Sequence, residues 1–188
     1  MWATYEKYLD FLKNRKIDFN KHGLRNDDWQ VNLKYRLGDE FQVIRPQMPN
    51  KSNARYLEWK IWFEKFIPFV NDEVIIVGSS LGATFLAKYL SENEFPKKIK
   101  VLFLIAGCFD DLPEEPLLDF GLPPSLKNIE SQTEKIYLYH SKDDDLVPFP
   151  HLAKFQQALP TAVVRVFEDR KHFNQEELPE LTEDITKL

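Results

Sequence analysis

Two periods of hydrophobic positions alternate along most of the chain. Four short runs rich in Val, Ile, Leu and aromatic residues predict buried strands at 74–77, 99–106, 135–140 and 162–167. Apolar residues that recur every three or four positions predict helices at 81–92, through Leu126 and Ile129, at 150–158, and from Pro179 onward. This alternation predicts an α/β fold with a doubly wound, mostly parallel sheet and helices on both faces. Functional sites in such sheets lie at the carboxyl ends of the strands.

The N-terminal part of the chain adds further predicted elements. Apolar spacing indicates one helix through Tyr5, Tyr8, Leu9 and Leu12 and another through Trp29, Leu33 and Leu37. The second helix is expected to stop at Gly38, and a short strand is predicted at 41–45. Asn53 is a candidate cap for a long helix that ends before Pro68. Its aromatic stripe predicts packing against the sheet rather than a ligand site, and consists of Trp59, Trp62, Phe63 and Phe66.

Composition and charge narrow the class of protein. Apolar residues make up 43% of the 188 residues, enough to build the core of one domain that spans residues 1–188. A net charge of -5 without a basic face argues against a nucleic acid partner. No apolar run approaches the roughly 18 residues of a membrane span, and charged residues such as Glu6 interrupt any signal-like start. We therefore expect a cytoplasmic protein that does not enter a membrane.

Cys108 is the single cysteine of the chain, which excludes an internal disulfide. One cysteine also offers no zinc cluster, so we expect neither a metal nor another cofactor. The simplest interpretation of Cys108 is a small buried residue at a strand end.

The most informative motif is the G-S-S-L-G sequence of residues 78–82, placed between a predicted strand and a predicted helix. The pattern G-x-S-x-G in this context predicts a nucleophile elbow, a strained turn that lifts the hydroxyl of Ser80 off the end of the sheet. Gly78 and Gly82 are small enough to clear that turn. The alternative is a plain turn in which the glycines only permit close packing.

A serine nucleophile needs a base and an acid, which the elbow fold supplies in the order Ser, Asp, His. Three consecutive aspartates, at 143–145, follow the third predicted strand, and His172 follows the fourth. Chemistry alone does not choose among the aspartates, and a cation site is a competing interpretation of the trio. The other histidines have simpler interpretations. His22 lies in a polar loop, and His151 begins a helix. His140 is expected to brace the acid loop, the segment 141–148 that contains the three aspartates.

The motifs resemble those of a known family. H-S-K-D-D-D-L-V-P is similar to the H-G-x-x-D-x-x-V-P stretch of α/β-hydrolases, and the matching acid is Asp144. The elbow, the following A-T-F-L-A-K-Y-L and the K-H-F around His172 resemble the small serine hydrolases grouped with retinoblastoma-binding protein 9 and bacterial YdeN-like proteins. This resemblance implies an α/β-hydrolase fold with a minimal cap, a Ser80, Asp144 and His172 triad, and hydrolysis of small esters. The backbone N–H of Leu81 would form half of the oxyanion hole.

The chain departs from the group at its N-terminus. Members of the group open with a strand and an H-G-type loop that donates the second oxyanion N–H, and we expect both to be missing here. Two explanations stay open: Met1 is an internal methionine chosen as the start, or the chain is shortened and is poorly active or inactive. A smaller departure is Lys171, which stands where a small residue commonly precedes the histidine.

The Pro-rich segment between Cys108 and Pro124 carries carboxylates but no Lys or Arg. One hypothesis places it above the site as part of an acyl pocket whose carboxylates, Glu114 and Glu115 among them, disfavour anionic substrates. The alternative is a solvated acidic loop. The residues expected to bind substrate are Leu117, Leu118, Phe120 and, beside the histidine, Phe173, with Leu122 as a further lining candidate.

Together these patterns predict a serine hydrolase that cleaves small carboxylic esters through an acyl-enzyme, with a small-molecule ester as its partner. One alternative is a non-catalytic member of the same fold that binds an unidentified protein. Another is an aminopeptidase or a thioesterase on the same triad, because fold does not choose substrate.

Overall fold

Four parallel strands form the sheet in the computed structural model, which describes residues 4–14, 28–112 and 115–188. The strands are β1 (Val74–Ser79), β2 (Ile99–Ile105), β3 (Thr133–Ser141) and β4 (Val163–Phe167). They lie in the sheet in chain order, β1-β2-β3-β4, and each neighbouring pair is parallel. All four strands expected in the second part of the chain are therefore confirmed.

Helices occupy the segments before, between and after the strands. In the described part of the chain they are α1 (Tyr5–Asn14), α2 (Trp29–Leu37), α3 (Tyr56–Glu64), α4 (Leu81–Glu92), α5 (Lys127–Gln132), α6 (Pro150–Ala158) and α7 (Pro179–Thr186). Gly38 follows α2 with a φ of 70°, which glycine adopts without steric cost, so the predicted stop is confirmed. None of these helices is long and apolar enough to cross a membrane.

Both faces of the sheet are covered by helices. Leu102 of β2 belongs to one buried cluster together with Phe85 of α4. Phe103, the next residue of the strand, belongs to a second cluster with Trp29 of α2 and Leu181 of α7. Because successive strand residues point to opposite faces, the two clusters lie on the two sides of β2. The doubly wound α/β architecture is confirmed.

The predicted strand at 41–45 is wrong. Residues 42–48 adopt neither helix nor strand, and no ladder among the described residues includes them. Phe41 packs against the cluster that contains Trp29, whereas Met48 packs against the cluster on the opposite face. The segment therefore passes from one face of the sheet to the other. An alternating pattern becomes a strand only beside a strand that can pair with it, and the described residues place none there.

Helix α3 differs from its prediction at both ends. Asn53 does not cap it, because the helix begins after Arg55. The free backbone N–H of Tyr56 donates instead to Asp119 Oδ2 at 3.0 Å. The helix ends at Glu64, earlier than expected. The cap comes from a segment that is distant in the sequence, which local spacing does not reveal.

The aromatic stripe of α3 packs mainly against a helix rather than the sheet. The rings of Trp59 and Phe63 lie 5.7 and 5.4 Å from the ring of Phe85 in α4, measured between centroids. Trp62 is 40% exposed and contacts Phe66, so it lies on the outer side of the helix. The prediction of core packing is right for Trp59 and Phe63 and wrong for Trp62.

Candidate active site

The chain turns sharply between β1 and α4, at Ser80. This residue has φ 55° and ψ −126°, which a non-glycine residue adopts only under strain. Its N–H donates to the carbonyl oxygen of Ile105, at the end of the neighbouring strand, at 2.8 Å. Helix α4 begins at Leu81, and the first N–H groups of a helix have no acceptor within the helix. A strand, a strained serine and a helix in this order have the geometry expected of a nucleophile elbow.

The two glycines of this turn face different constraints. A Cβ atom added at Gly78 would lie 2.6 Å from the carbonyl oxygen of Gly82 and 2.7 Å from Cδ1 of Leu86. The close approach of β1 to α4 therefore requires glycine at position 78. A Cβ atom at Gly82 would meet nothing within 4 Å. The expected need for a small residue is thus supported at Gly78 and not at Gly82.

His172 lies between Ser80 and Asp144. Its Nε2 is 2.8 Å from Ser80 Oγ, and its Nδ1 is 2.9 Å from Asp144 Oδ2. Because a carboxylate only accepts, Nδ1 carries the proton and Nε2 is left to accept from the serine hydroxyl. The three side chains follow β1, β3 and β4, whose carboxyl ends lie at one edge of the sheet. An imidazole in this position can take the proton of a serine nucleophile.

Asp144 is the buried member of the three consecutive aspartates, and it is held by several donors. Its Oδ1 accepts the N–H groups of Leu146 and Val147, both at 2.9 Å. Burial favours the neutral carboxyl, but the hydrogen bonds from His172 and from the two backbone N–H groups outweigh it, so the pKa of Asp144 lies below its usual range. Asp144 is therefore charged at neutral pH and can stabilise an imidazolium at His172.

Two other histidines have structural partners close to the site. His140 is buried and its Nε2 lies 2.9 Å from the carbonyl oxygen of Val147, so it donates there and braces the acid loop. Burial lowers the pKa of His140, and the imidazole is neutral at neutral pH. The Nδ1 of His151, also buried, accepts the N–H of Phe109 at 3.0 Å. His22 lies outside the described residues.

The residues expected to bind substrate occupy different environments. Phe120 is fully buried, with its ring 5.3 Å from that of Trp59, and Leu117 is also buried. Leu118 is 37% exposed. Phe173 is buried, with its ring edge-on to Phe167. These contacts give Phe120 and Phe173 a place in the core, and their role in substrate binding stays a prediction.

Cys108 is buried next to the acidic segment that follows β2. Burial, followed by the charges of Asp110 and Asp111, raises the pKa of the thiol to about 12. The thiol is therefore protonated at neutral pH and a poor nucleophile, in line with the simple structural role expected from the sequence.

Glu114, named as a selectivity residue, lies outside the described residues. In the ranges that the structure describes, no group of three or more His, Cys, Asp or Glu side chains is arranged to hold a metal ion.

Comparison with known proteins defines the class of this chain. The family model described as serine hydrolase matches residues 21–181. The chain therefore belongs to the serine hydrolase family, and the resemblance expected from its motifs is confirmed. None of the curated protein sequences matches the chain.

Several solved structures share the fold. The structure of the ydeN gene product from B. subtilis aligns with a TM-score of 0.75 at 22% identity, over 85% of this chain and 89% of that one. A putative YdeN-like hydrolase from Pectobacterium atrosepticum aligns with a TM-score of 0.62 at 16% identity, over 87% and 83% of the two chains. The esterase of Exiguobacterium antarcticum aligns with a TM-score of 0.51 at 16% identity, over 70% and 72%. At these identities the likeness establishes the α/β-hydrolase fold.

The predicted absence of an H-G-type loop conflicts with the sequence itself. An H-G-type loop was expected to be missing, yet His22 is followed by Gly23 in the segment that precedes Trp29 and α2. The family match begins at residue 21 and therefore includes this pair. Both residues lie outside the described ranges. A His-Gly pair shortly before a helix is the sequence pattern that identifies a candidate H-G-type loop.

Proposed function

We propose that this serine hydrolase cleaves small carboxylic esters through an acyl-enzyme formed on Ser80. The observation that carries the proposal is the position of the His172 imidazole, within 2.8 Å of the Ser80 hydroxyl and 2.9 Å of the Asp144 carboxylate. The strained backbone at Ser80 supports the same proposal, because such strain is concentrated at functional sites. The proposed triad is therefore Ser80, His172 and Asp144.

The proposed reaction has two stages. In the first, Ser80 Oγ attacks the carbonyl carbon of the ester while His172 Nε2 takes the hydroxyl proton. The tetrahedral intermediate collapses, and the alcohol leaves with the proton from His172. In the second stage a water molecule attacks the acyl-enzyme by the same proton transfers, which releases the carboxylic acid and restores Ser80. Asp144 keeps the imidazole in the required tautomer throughout.

The developing oxyanion needs hydrogen-bond donors that point at it. The N–H of Leu81 is our candidate for the first donor, because it follows the nucleophile and begins the twelve-residue helix α4. The segment after His22-Gly23 is the sequence candidate for the second donor, since an H-G-type loop supplies it in the group that the chain resembles. Each such donor contributes about 10²- to 10³-fold in rate.

Ester hydrolysis by matched serine variants tests the proposal. Ser80→Ala should reduce kcat/KM for p-nitrophenyl acetate and butyrate by roughly 10⁴-fold or more, because the nucleophile is lost. Ser79→Ala is the control, since Ser79 precedes the nucleophile at the end of β1 and takes no part in the proposed chemistry. Hydrolysis at the background rate by folded wild-type protein would contradict an esterase, and the same result on thioesters and amides would favour the protein-binding alternative.

The same triad also serves thioesterases and aminopeptidases, so the substrate class needs its own comparison. We expect short-chain oxygen esters to be cleaved with a higher kcat/KM than acyl thioesters or aminoacyl amides of matched acyl group. A higher value for either of the latter would keep the triad and change the assigned substrate. Wild type and Ser80→Ala should be measured on each substrate, so that only serine-dependent turnover is compared.

A further inference from the structure

The three consecutive aspartates after β3 make different contacts. Asp144 is buried against His172, and Asp145 is exposed with no side-chain hydrogen bond to the described residues. Asp143 is exposed too, yet its carboxylate turns back onto the chain. Its Oδ1 accepts the hydroxyl of Ser141 at 2.6 Å and the backbone N–H of Lys171 at 2.8 Å. An aspartate that was merely solvated would make neither contact.

Ser141 extends this contact by one residue. Its hydroxyl has one proton, and the Asp143 carboxylate at 2.6 Å is a closer and stronger acceptor for it than the carbonyl oxygen of Phe167 at 3.3 Å. The hydroxyl oxygen is then left to accept. It accepts the backbone N–H of Arg170 at 2.9 Å. Ser141 is fully buried, so water does not compete for its hydroxyl. The two backbone N–H groups directly before His172, those of Arg170 and Lys171, thus donate to the side chains of Ser141 and Asp143.

The backbone around His172 needs such external support. Lys171 and Phe173, on either side of the histidine, have φ values of 47° and 52°. Side chains with a Cβ atom are disfavoured in this left-handed region, and such conformations persist only when the surroundings hold them. On the far side, the carbonyl oxygen of Phe173 accepts the indole N–H of Trp29 at 2.9 Å. On the near side, the support comes from Asp143 and Ser141.

We propose that Asp143 is a positioning residue, which together with Ser141 clamps the backbone before His172 so that the imidazole meets Ser80. This inference rests on the proposed triad and adds to it a residue that does not touch the substrate. The hydrogen bond from Ser141, with that from the Lys171 N–H, also keeps the pKa of Asp143 below its usual range, so the acceptor is charged at neutral pH. The two adjacent aspartates then have different roles: Asp144 orients the imidazole of His172, and Asp143 holds the loop that carries His172.

Three aspartate variants separate positioning from a general effect of charge. Asp143→Ala should lower kcat for p-nitrophenyl butyrate by about tenfold to a hundredfold with little change in KM, because a misplaced catalytic group costs on that order. Asp143→Asn keeps an acceptor oxygen and should recover most of the rate. Asp145→Ala removes the same charge from the neighbouring position and should match wild type. Equal kcat for wild type and Asp143→Ala would overturn the inference and leave the proposed function intact.

A second measurement tests the clamp without turnover. The His172 Nδ1–H that bonds to Asp144 should give a low-field proton NMR resonance in wild type. Loss of this resonance in His172→Ala would assign it to that proton. We expect Asp143→Ala to broaden or lose this resonance, and Asp143→Asn to retain it. An unchanged resonance in Asp143→Ala overturns the inference even if wild type hydrolyses no ester. Should Asp143→Ala not fold, Ser141→Ala removes the Arg170 half of the clamp, and unaltered kcat and resonance in that variant would equally contradict it.

Discussion

At the scale of single residues, the acid loop after β3 is where most contacts of the site converge. Asp144 lies between two imidazoles: His172 at 2.9 Å from Oδ2, and His140 with its Nε2 at 3.7 Å from the same oxygen. His140 donates to the carbonyl oxygen of Val147 and is neutral, so it braces the loop without competing for the charge of Asp144. The loop therefore directs the carboxylate of Asp144 at His172, and His140 stabilises the loop on its other side.

The neutral state of His140 predicts how stability depends on pH. Because burial lowers its pKa in the folded protein, the unfolded chain binds more protons near the ordinary histidine pKa of about 6.5. The free energy of unfolding should thus fall as pH drops below about 6.5, and Asp144, whose pKa is also lowered, should add a further loss only below about pH 4. His140→Gln can keep the donor but not the titration, and should reduce the slope between pH 7 and 5 in urea unfolding. The slope that remains comes from His151, whose pKa burial also lowers. The same slope in both proteins would contradict a buried, neutral His140.

At the scale of elements, the sequence predicted what is local and missed what depends on distant partners. The four strands of the sheet and the helices after them follow from hydrophobic periods, and Ser80 and His172 follow from short motifs and their order. Asp144 was selected among three adjacent aspartates only by the resemblance to α/β-hydrolases. The cap of α3 was assigned to the wrong residue because Asp119 reaches the helix from a remote segment. The contacts of Asp143 were missed for the same reason, since its partner Lys171 lies on another loop. Spacing along the chain does not encode such contacts.

The packing of β1 against α4 gives an element-scale prediction about the two elbow glycines. Gly78→Ala would place its Cβ 2.6 Å from a backbone oxygen, and we expect a loss of about 1–3 kcal/mol in the free energy of unfolding, as for other overpacked sites. Gly82→Ala is the matched control, because its Cβ meets no atom within 4 Å and alanine is favoured over glycine in a helix. Chemical denaturation of both variants tests this. Equal destabilisation by the two would mean that the turn is not limited by clearance at Gly78.

At the scale of the whole molecule, the fold brings together loops that are far apart in the chain and ties them to the helices behind them. Helix α7 is joined to the sheet through Asp184, which accepts from Arg165 Nε of β4 at 3.1 Å and from the hydroxyl of Tyr139 of β3. Arg170, on the loop before His172, pairs with Glu180 of the same helix. The family match spans most of these elements, from residue 21 to 181. The site thus depends on one sheet edge that several elements support together, and we propose that residues 1–188 act as one domain.

Labelling with a fluorophosphonate probe, followed by peptide mapping, shows directly whether Ser80 is the nucleophile. The probe forms a covalent bond to an activated serine, so wild-type protein should carry one adduct on the peptide that contains Ser80. Labelling should be lost in Ser80→Ala, retained in Ser79→Ala and strongly slowed in His172→Ala, because the base that activates the hydroxyl is then missing. An adduct on another residue, or no adduct on folded wild-type protein, would contradict the assignment of Ser80 as the nucleophile.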